Sequence, residues 1–329
     1  MKKTPLREVC FNMLLQQLHK EQLSDWIKSE AEALGFSACG ISKAEELTED
    51  AERMEHWLEK NMQGEMSYLE RNREKRYDVR LLVPGAQAVI TVLYNYNPEN
   101  PTLEKSPYKI AKYAYGKDYH YVIKDKLKKL LKRIEERTGK RTARAFTDSA
   151  PLLDRALARK SGLGFIGKNT LLINRKLGST LFIGHLVIDL ELSTDEETTV
   201  NFCGSCTKCI QACPTEALTP FELDARKCIS YLTIEYRGQH LPKSIRPEQM
   251  SQWVFGCDIC QDVCPWNRKV PAHKEPLFEA SEKLKSMKRE DWINLDQATF
   301  KVLFQDTAVE RTGFNGLKRN IDFLHENNL

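Results

Sequence analysis

CGSCTKCIQACP, residues 203–214, spaces Cys203, Cys206, Cys209 and Cys213 as CxxCxxCxxxC and follows at once with Pro214. That is the bacterial ferredoxin spacing, in which the fourth cysteine ligates the other cluster of a pair. CDICQDVCPW, residues 257–266, repeats the later part with Cys257, Cys260 and Cys264 before Pro265, but Val254 stands where a first cysteine belongs. Seven thiolates cannot complete two four-cysteine clusters, and Cys228 is the only cysteine between the runs. The expected ligand sets are therefore Cys203, Cys206, Cys209 and Cys264 on one 4Fe–4S cluster, and Cys213, Cys228, Cys257 and Cys260 on the other. Structural zinc uses paired CxxC elements of two cysteines each. A longer run that ends in CysPro, found twice, points instead to iron and sulfur. Such clustering also fits redox chemistry in a reducing compartment better than a disulfide scaffold.

The chain has 329 residues, enough for two or three domains and a real core. About two hundred residues precede the first cluster cysteine, so the electrons are expected to serve chemistry housed there. With 50 Lys and Arg against 46 Asp and Glu, the net charge of +4 neither demands nor excludes nucleic acid. The start, MKKTPLREVCFNMLLQQLHKEQLSDW, interrupts its apolar residues with Gln, His, Lys and Glu, unlike the core of a secretory signal. No window reaches the roughly 18 apolar residues of a membrane span. A soluble, cytoplasmic, monomeric protein without a membrane partner is expected.

Along the chain, Ser24 is placed to cap a helix through Ile27, Ala31 and Leu34 that Gly35 stops. FSACGIS reads as a strand carrying Cys39, which like Cys10 is expected to be a small buried side chain and not a ligand. A helix is expected over residues 51–61, and AQAVITVLYNY reads as a buried strand. KIAKYAYG reads as another strand after the Pro-bearing loop NPENPTLEKSP. A basic amphipathic helix then buries Val122, Leu127, Leu130, Leu131 and Ile134 and ends at Thr138 and Gly139. Lys124, Lys126, Lys128, Lys129, Lys132 and Arg133 lie on its other face, as a solvated surface or a contact for phosphates. TARAFT is a short strand whose carboxyl end presents Asp148, and Asp148 or Ser149 is placed to cap a helix with Pro151 in its first turn. GLGFIGKNTLLINRKLGSTLFIGHLVIDLEL reads as two apolar strands joined at ArgLysLeuGly after a Gly-rich bend. Gly162, Gly164 and Gly167 lack the dinucleotide-fingerprint spacing, and the bend leads into a strand instead of opening a helix. The expected class is α+β: a mixed-sheet catalytic domain over residues 1–200, a ferredoxin-like two-cluster domain over 201–270 and a short helical tail over 271–329.

Five motifs in order, YGKDYH (115–120), TDSAPLLDRALARKSGLGFIGKNTLLIN (147–174), CGSCTKCIQACPTEAL (203–218), CISYLTIEYRG (228–238) and CDICQDVCPWN (257–267), resemble the epoxyqueuosine reductases. These are cobalamin-dependent iron–sulfur enzymes of tRNA queuosine biosynthesis, and the resemblance covers most of the chain. It implies a base-off cobalamin bound between the α+β domain and two clusters, which feed it single electrons from an external donor of flavodoxin or ferredoxin type. The implied substrate is a tRNA carrying epoxyqueuosine at the wobble position. Removing the epoxide oxygen as water takes two electrons and two protons and leaves the alkene, queuosine. By position in its motif, Asp148 matches the family's proton donor. Asp118, His120 and Tyr121 match polar groups lining the same pocket, while Lys168, Asn169 and Thr170 of GKNT, with Arg71, are candidates to hold the corrin side chains or the substrate phosphate. Longer members continue into a helical-repeat domain that grips the anticodon stem, whereas this chain stops soon after RTGFNGLKRNIDFL, so a smaller basic surface or another protein is expected to substitute. Two other classes compete: a cobalamin and iron–sulfur reductase of the dehalogenase type acting on a small molecule, and a plain electron-transfer protein. The large non-ferredoxin domain, with its own polar constellation, speaks against the latter.

Overall fold

The computed structural model describes residues 6–99, 103 and 106–326. Its first half alternates helices and strands: α1 (Leu6–Ala33), β1 (Ala38–Lys43), α2 (Thr48–Glu59), α3 (Arg73–Tyr77), β2 (Ala88–Asn95), β3 (Lys109–Ile110), α4 (Tyr119–Thr138), β4 (Ala143–Phe146) and α5 (Asp154–Lys160). Next come β5 (Phe165–Ile166), β6 (Leu172–Ile173) and β7 (Leu181–Ile188). Short elements carry the cysteines: α6 (Lys208–Gln211), β8 (Leu218–Thr219), β9 (Glu222–Leu223), α7 (Ile229–Ile234), α8 (Pro247–Met250), β10 (Trp253–Phe255) and α9 (Ile259–Asp262). The chain closes with α10 (Glu282–Lys285), α11 (Arg289–Ile293), α12 (Gln297–Phe304) and α13 (Gly313–Glu326).

The central sheet has the order β1-β2-β7-β4 and is antiparallel at each pairing, while β3 and β10 pair in parallel. The α+β class expected from the sequence holds. AVITVLYN is apolar almost throughout because both faces of β2 are covered and all eight residues are buried. On one face Ile90, Val92 and Tyr94 meet Ile27 and Ala31 of α1 and Ile123, Leu127 and Leu130 of α4. On the other, Val89 packs with Val79, Phe146, Leu157 and Val187. Each fully buried aliphatic side chain contributes roughly 1.5–3 kcal/mol. Helix α4 comes this close because β7 carries Gly184, where a Cβ would lie 2.7 Å from Ile123 Cγ2.

Several local expectations are corrected. Ser24 caps nothing: it lies inside α1, buried, and its Oγ accepts the Ser193 backbone N–H at 2.9 Å. Gly35 does end the helix region, with φ of +92°. KIAKYAYG supplies only the two-residue β3 before a 3-10 turn over Lys112–Ala114, and β6 pairs with β5 instead of β7. Helix α5 starts at Asp154 with Leu153 at its N-cap and no capping side chain, so neither Asp148, Ser149 nor Pro151 occupies its first turn. The Cys10 side chain and residues 100–102, 104 and 105 of the Pro-bearing loop lie outside the described residues.

The closing helices share one core with the elements around the cysteines, through Leu232, Phe255, Trp292, Phe304, Leu317 and Ile321. Polar groups stitch the same seam. Asn320 Nδ2 donates to the carbonyls of Thr233 and Val254, and Arg319 donates to those of Leu232, Tyr236 and Gly238. Among the described residues no helix is long and apolar enough to cross a membrane.

Candidate active site and thiol clusters

The cysteines gather in two groups. Cys264 feels the charges of Cys203 and Cys206, and Cys209 those of Cys203 and Cys264. Cys257 feels Cys228 and Cys260, Cys228 feels Cys213, and Cys260 feels Cys228 and, more weakly, Cys209 and Cys213. The first four line one cavity of about 230 Å³ together with Lys168 and Trp266. Backbone donors serve the sulfurs. Cys228 is the N-cap of α7, so the Ser230 and Tyr231 N–H groups face it, and Cys264 likewise receives those of Trp266 and Asn267. Lys168 N–H donates to Cys203 Sγ at 3.5 Å and Ala217 N–H to Cys213 Sγ at 3.4 Å. Burial pushes the Cys228, Cys257 and Cys260 thiols up, so in the bare protein they stay protonated. Only a cationic centre would hold them as buried thiolates.

Asp148 follows β4 in a left-handed conformation, φ +49°, a region Asp enters more readily than most residues with a Cβ. Its Oδ2 accepts the Tyr119 hydroxyl, and its side chain remains 65% exposed. Tyr119 is the first residue of α4 and is fixed between the rings of His120 and Phe182, at 4.2 Å from each. Burial, then the Asp148 charge, pushes its phenol well up, so it stays a donor. Asp118 caps α4 through the His120 backbone N–H at 2.9 Å and also takes the His120 ring at Nδ1, 2.6 Å away. Burial works against the Asp118 carboxylate, but these His120 bonds win and hold it below its ordinary value. With Nδ1 held, His120 Nε2 points toward Asp148 Oδ2 at 4.0 Å. Arg155, at the start of α5, donates to the Thr170 carbonyl and to its hydroxyl at 3.2 Å, within electrostatic reach of Asp148. Arg155 is exposed, and Tyr113, half-buried, stands edge-on to the Tyr119 ring at 6.2 Å. From the far end of the chain Arg311 reaches the same surroundings, paired with both oxygens of Glu235 and lying 5.8 Å from the Tyr68 ring.

Of the residues singled out in the sequence, Asp118, His120, Asp148 and Thr170 belong to this group. Tyr121 does not: two residues on from Tyr119 along α4 it faces outward, 58% exposed. Lys168 and Asn169 turn toward the cysteine loops, Lys168 Nζ to the Gly204 and Cys206 carbonyls and Asn169 Nδ2 to the Cys260 carbonyl. Arg71 is exposed before α3, and no hydrogen bond or ion pair joins it to Asp148 among the described residues. Sequence reading missed Tyr119 and Arg155, which sit inside the quoted motifs, and Tyr68, Tyr113 and Arg311, for which no local signal exists. A further cavity of about 440 Å³, bordered by Asn97, Lys109, Tyr115, Trp253 and Asn267, contains none of the expected site residues.

A family model described as "Epoxyqueuosine reductase QueG, DUF1730" matches residues 76–149, and one described as "4Fe-4S double cluster binding domain" matches residues 202–267. The curated epoxyqueuosine reductase of Leadbetterella byssophila is 53% identical over 300 residues, spanning 91% of this chain and 97% of that one. The chain belongs to the epoxyqueuosine reductase family. It is therefore an oxidoreductase with a double 4Fe–4S cluster-binding domain. The first epoxyqueuosine reductase match ends one residue past Asp148, and the second encloses all eight clustered cysteines. A solved epoxyqueuosine reductase in complex with an epoxyqueuosine-modified tRNA-Tyr stem loop superposes with a TM-score of 0.83 at 27% identity, over 92% of this chain and 80% of that one. The epoxyqueuosine reductase of Bacillus subtilis, solved with its catalytic aspartate loop swung out of the active site, gives 0.81 at 27% identity, over 92% and 81%.

Proposed function

We propose that this chain removes the epoxide oxygen of epoxyqueuosine in tRNA, leaving queuosine and water for two electrons and two protons. The observation that carries the reading is the Asp148, Tyr119 and His120 group, exposed at the surface of the catalytic domain, together with the second thiol group. Tyr113 links the two, since burial and then the charges of Asp148 and of Asp258, which lies between Cys257 and Cys260, push its phenol well up. The tRNA stem loop bound by the solved relative supports the substrate, and a family whose members act in tRNA modification supports a cytoplasmic setting.

The ligand sets proposed are those expected from the sequence: Cys203, Cys206, Cys209 and Cys264 for one cluster, and Cys213, Cys228, Cys257 and Cys260 for the other. The cavity of about 230 Å³ among the first four and the N–H groups aimed at the sulfurs fit such clusters. The residues around Asp148 are those that would hold a base-off cobalamin. Tyr68 and Tyr113 offer an aromatic wall, Arg155 and Thr170 polar contacts, and Arg76 a buried Nε with no hydrogen-bond partner. Bound there, the cofactor supplies a low-potential one-electron centre beside the epoxide. The chain's own residues manage the protons. Tyr119 holds Asp148 Oδ2 and leaves Oδ1 for the substrate, so in this reading Oδ1 is the atom that hands a proton to the departing oxygen. Through Asp118, His120 is oriented to return a proton to Asp148.

The test is anaerobic purification with iron, sulfide and corrin analysis, then incubation with epoxyqueuosine-bearing tRNA and mass spectrometry of its nucleosides. Queuosine formation that depends on added cobalamin is expected. Iron and cobalamin binding without conversion would reassign the chain to a small-molecule reductase.

A further inference from the structure

Three separate segments meet over the first thiol group: residues 166–178, residues 200–209 and residues 264–270. Together they hold Lys168, Arg175, Lys176, Lys208, Arg268 and Lys269, and no Asp or Glu. The fold brings them together. Lys168, Phe202, Lys208 and Trp266 border the cavity of Cys203, Cys206, Cys209 and Cys264. Ser179 N–H donates to Asn267 Oδ1 at 2.7 Å, which sets the Arg175 turn against the segment of Arg268 and Lys269. At the centre Phe202 is 37% exposed, edge-on to Phe165 and Trp266, with the Arg175 guanidinium 4.6 Å from its ring. Lys208, Arg268 and Lys269 are exposed. Asp262, which closely precedes the third segment, is paired with Lys112 at 2.6 Å, and Glu222, next to the Phe221 that bonds the Lys168 carbonyl, is paired with Lys60 at 2.7 Å. A single-sign patch this local, in a chain of nearly balanced charge, is a field for a partner of opposite sign.

We infer that this face docks an acidic protein carrying an exposed one-electron centre, which loads the reaction's electrons into the cluster of Cys203, Cys206, Cys209 and Cys264. The inference rests on the two-cluster reading. At each encounter the carrier is oxidised by one electron and that cluster reduced by one, and two encounters supply one epoxide reduction. From there the route inward runs through α6 and α9, which carry Cys209 and Cys260 and pack against each other. An exposed aromatic ring ringed by cations over a buried redox centre suits a small, transient, salt-sensitive complex. A tRNA phosphate backbone would also favour the cations, but these cations surround the cysteine cavity and an exposed aromatic ring over it, which suits an electron carrier.

The test uses the reconstituted protein and photoreduced flavodoxin as the probe, following cluster reduction by stopped-flow absorbance. The rate for the unmodified protein should fall on the order of tenfold between low and high salt. The Arg175→Glu, Lys208→Glu, Lys269→Glu triple variant should lose a similar factor at low salt while keeping its iron content and dithionite-reduced spectrum. Phe202→Ser should slow reduction with the salt slope intact. Unchanged flavodoxin rates in the triple variant would overturn the inference, as would lost tRNA affinity with unchanged rates, which would make this a nucleic-acid face. A preparation that binds no iron overturns both this inference and the functional reading. Slowed reduction alongside failed conversion of tRNA would sink only the latter.

Discussion

Asp148 is held by a buried phenol and not by a helix terminus, which separates proton delivery from folding at this residue. Tyr119→Phe removes the donor but keeps the ring between His120 and Phe182, so cluster content and melting temperature should hold. The single-turnover rate should fall about tenfold, the worth of one hydrogen bond, as measured by rapid quench. A loss confined to substrate affinity would instead make Tyr119 part of the binding surface. The motif made Asp148 and His120 legible, but choosing Tyr121 over Tyr119 required knowing where α4 begins, since one residue's shift turns a side chain by about 100°. Lys168 and Asn169 face the cysteine loops, a contact across residues distant in sequence that the motif itself does not specify. Cys39 is only half-buried, packed against the core that α1 and α4 share with the sheet, where its setting in FSACGIS suggested full burial. Burial foremost pushes its thiol up to about 12 from 9.0. Because the folded state favours the protonated thiol, this contribution to stability is complete below about pH 9 and is lost as pH rises toward 12. Iodoacetamide at pH 8 should therefore leave Cys39 unlabelled in the folded protein, and rapid labelling seen by peptide mass spectrometry would contradict its burial.

At the scale of elements, the basic face of α4 is less of a phosphate surface than its composition suggested. Lys126 turns inward to the Leu34 carbonyl, Glu275 and the Tyr94 ring, while Lys129 and Lys132 pair within the helix with Asp125 and Glu136. Reversing Lys128, Lys129 and Lys132 to Glu should change tRNA affinity by less than about twofold at physiological salt. A large loss in filter binding would restore the helix as a contact. The apolar stripe of α4 was readable because period and burial agree there. Ser24 was not, because its partner is Ser193, far along the chain, and propensity alone cannot distinguish a cap from a buried hydroxyl. Gly184→Val makes the packing claim measurable: a branched side chain set into Ile123 should cost about 1–3 kcal/mol in a denaturant melt.

Across the whole molecule, the cysteine spacing announced the two-cluster unit, whereas the closing helices gave no hint that they would complete the core beside α7 and β10 or send Arg311 toward the Asp148 group. Cys228→Ala should lose the cluster it shares with Cys213, Cys257 and Cys260 and keep the other, halving an expected content of about eight irons. An unchanged iron count would remove Cys228 from the ligand set. What unites the scales is the proposal that Asp148 delivers a proton to an oxygen leaving a tRNA nucleoside. The most direct measurement is single-turnover conversion of epoxyqueuosine-bearing tRNA by chemically reduced, cobalamin-saturated Asp148→Asn protein beside the unmodified protein, read by nucleoside mass spectrometry. An amide preserves shape but carries no transferable acid proton, so the variant should keep its fold and clusters and lose on the order of a hundredfold or more in rate. Near-normal formation of queuosine by Asp148→Asn would contradict the account and move the acid to His120 or Tyr119.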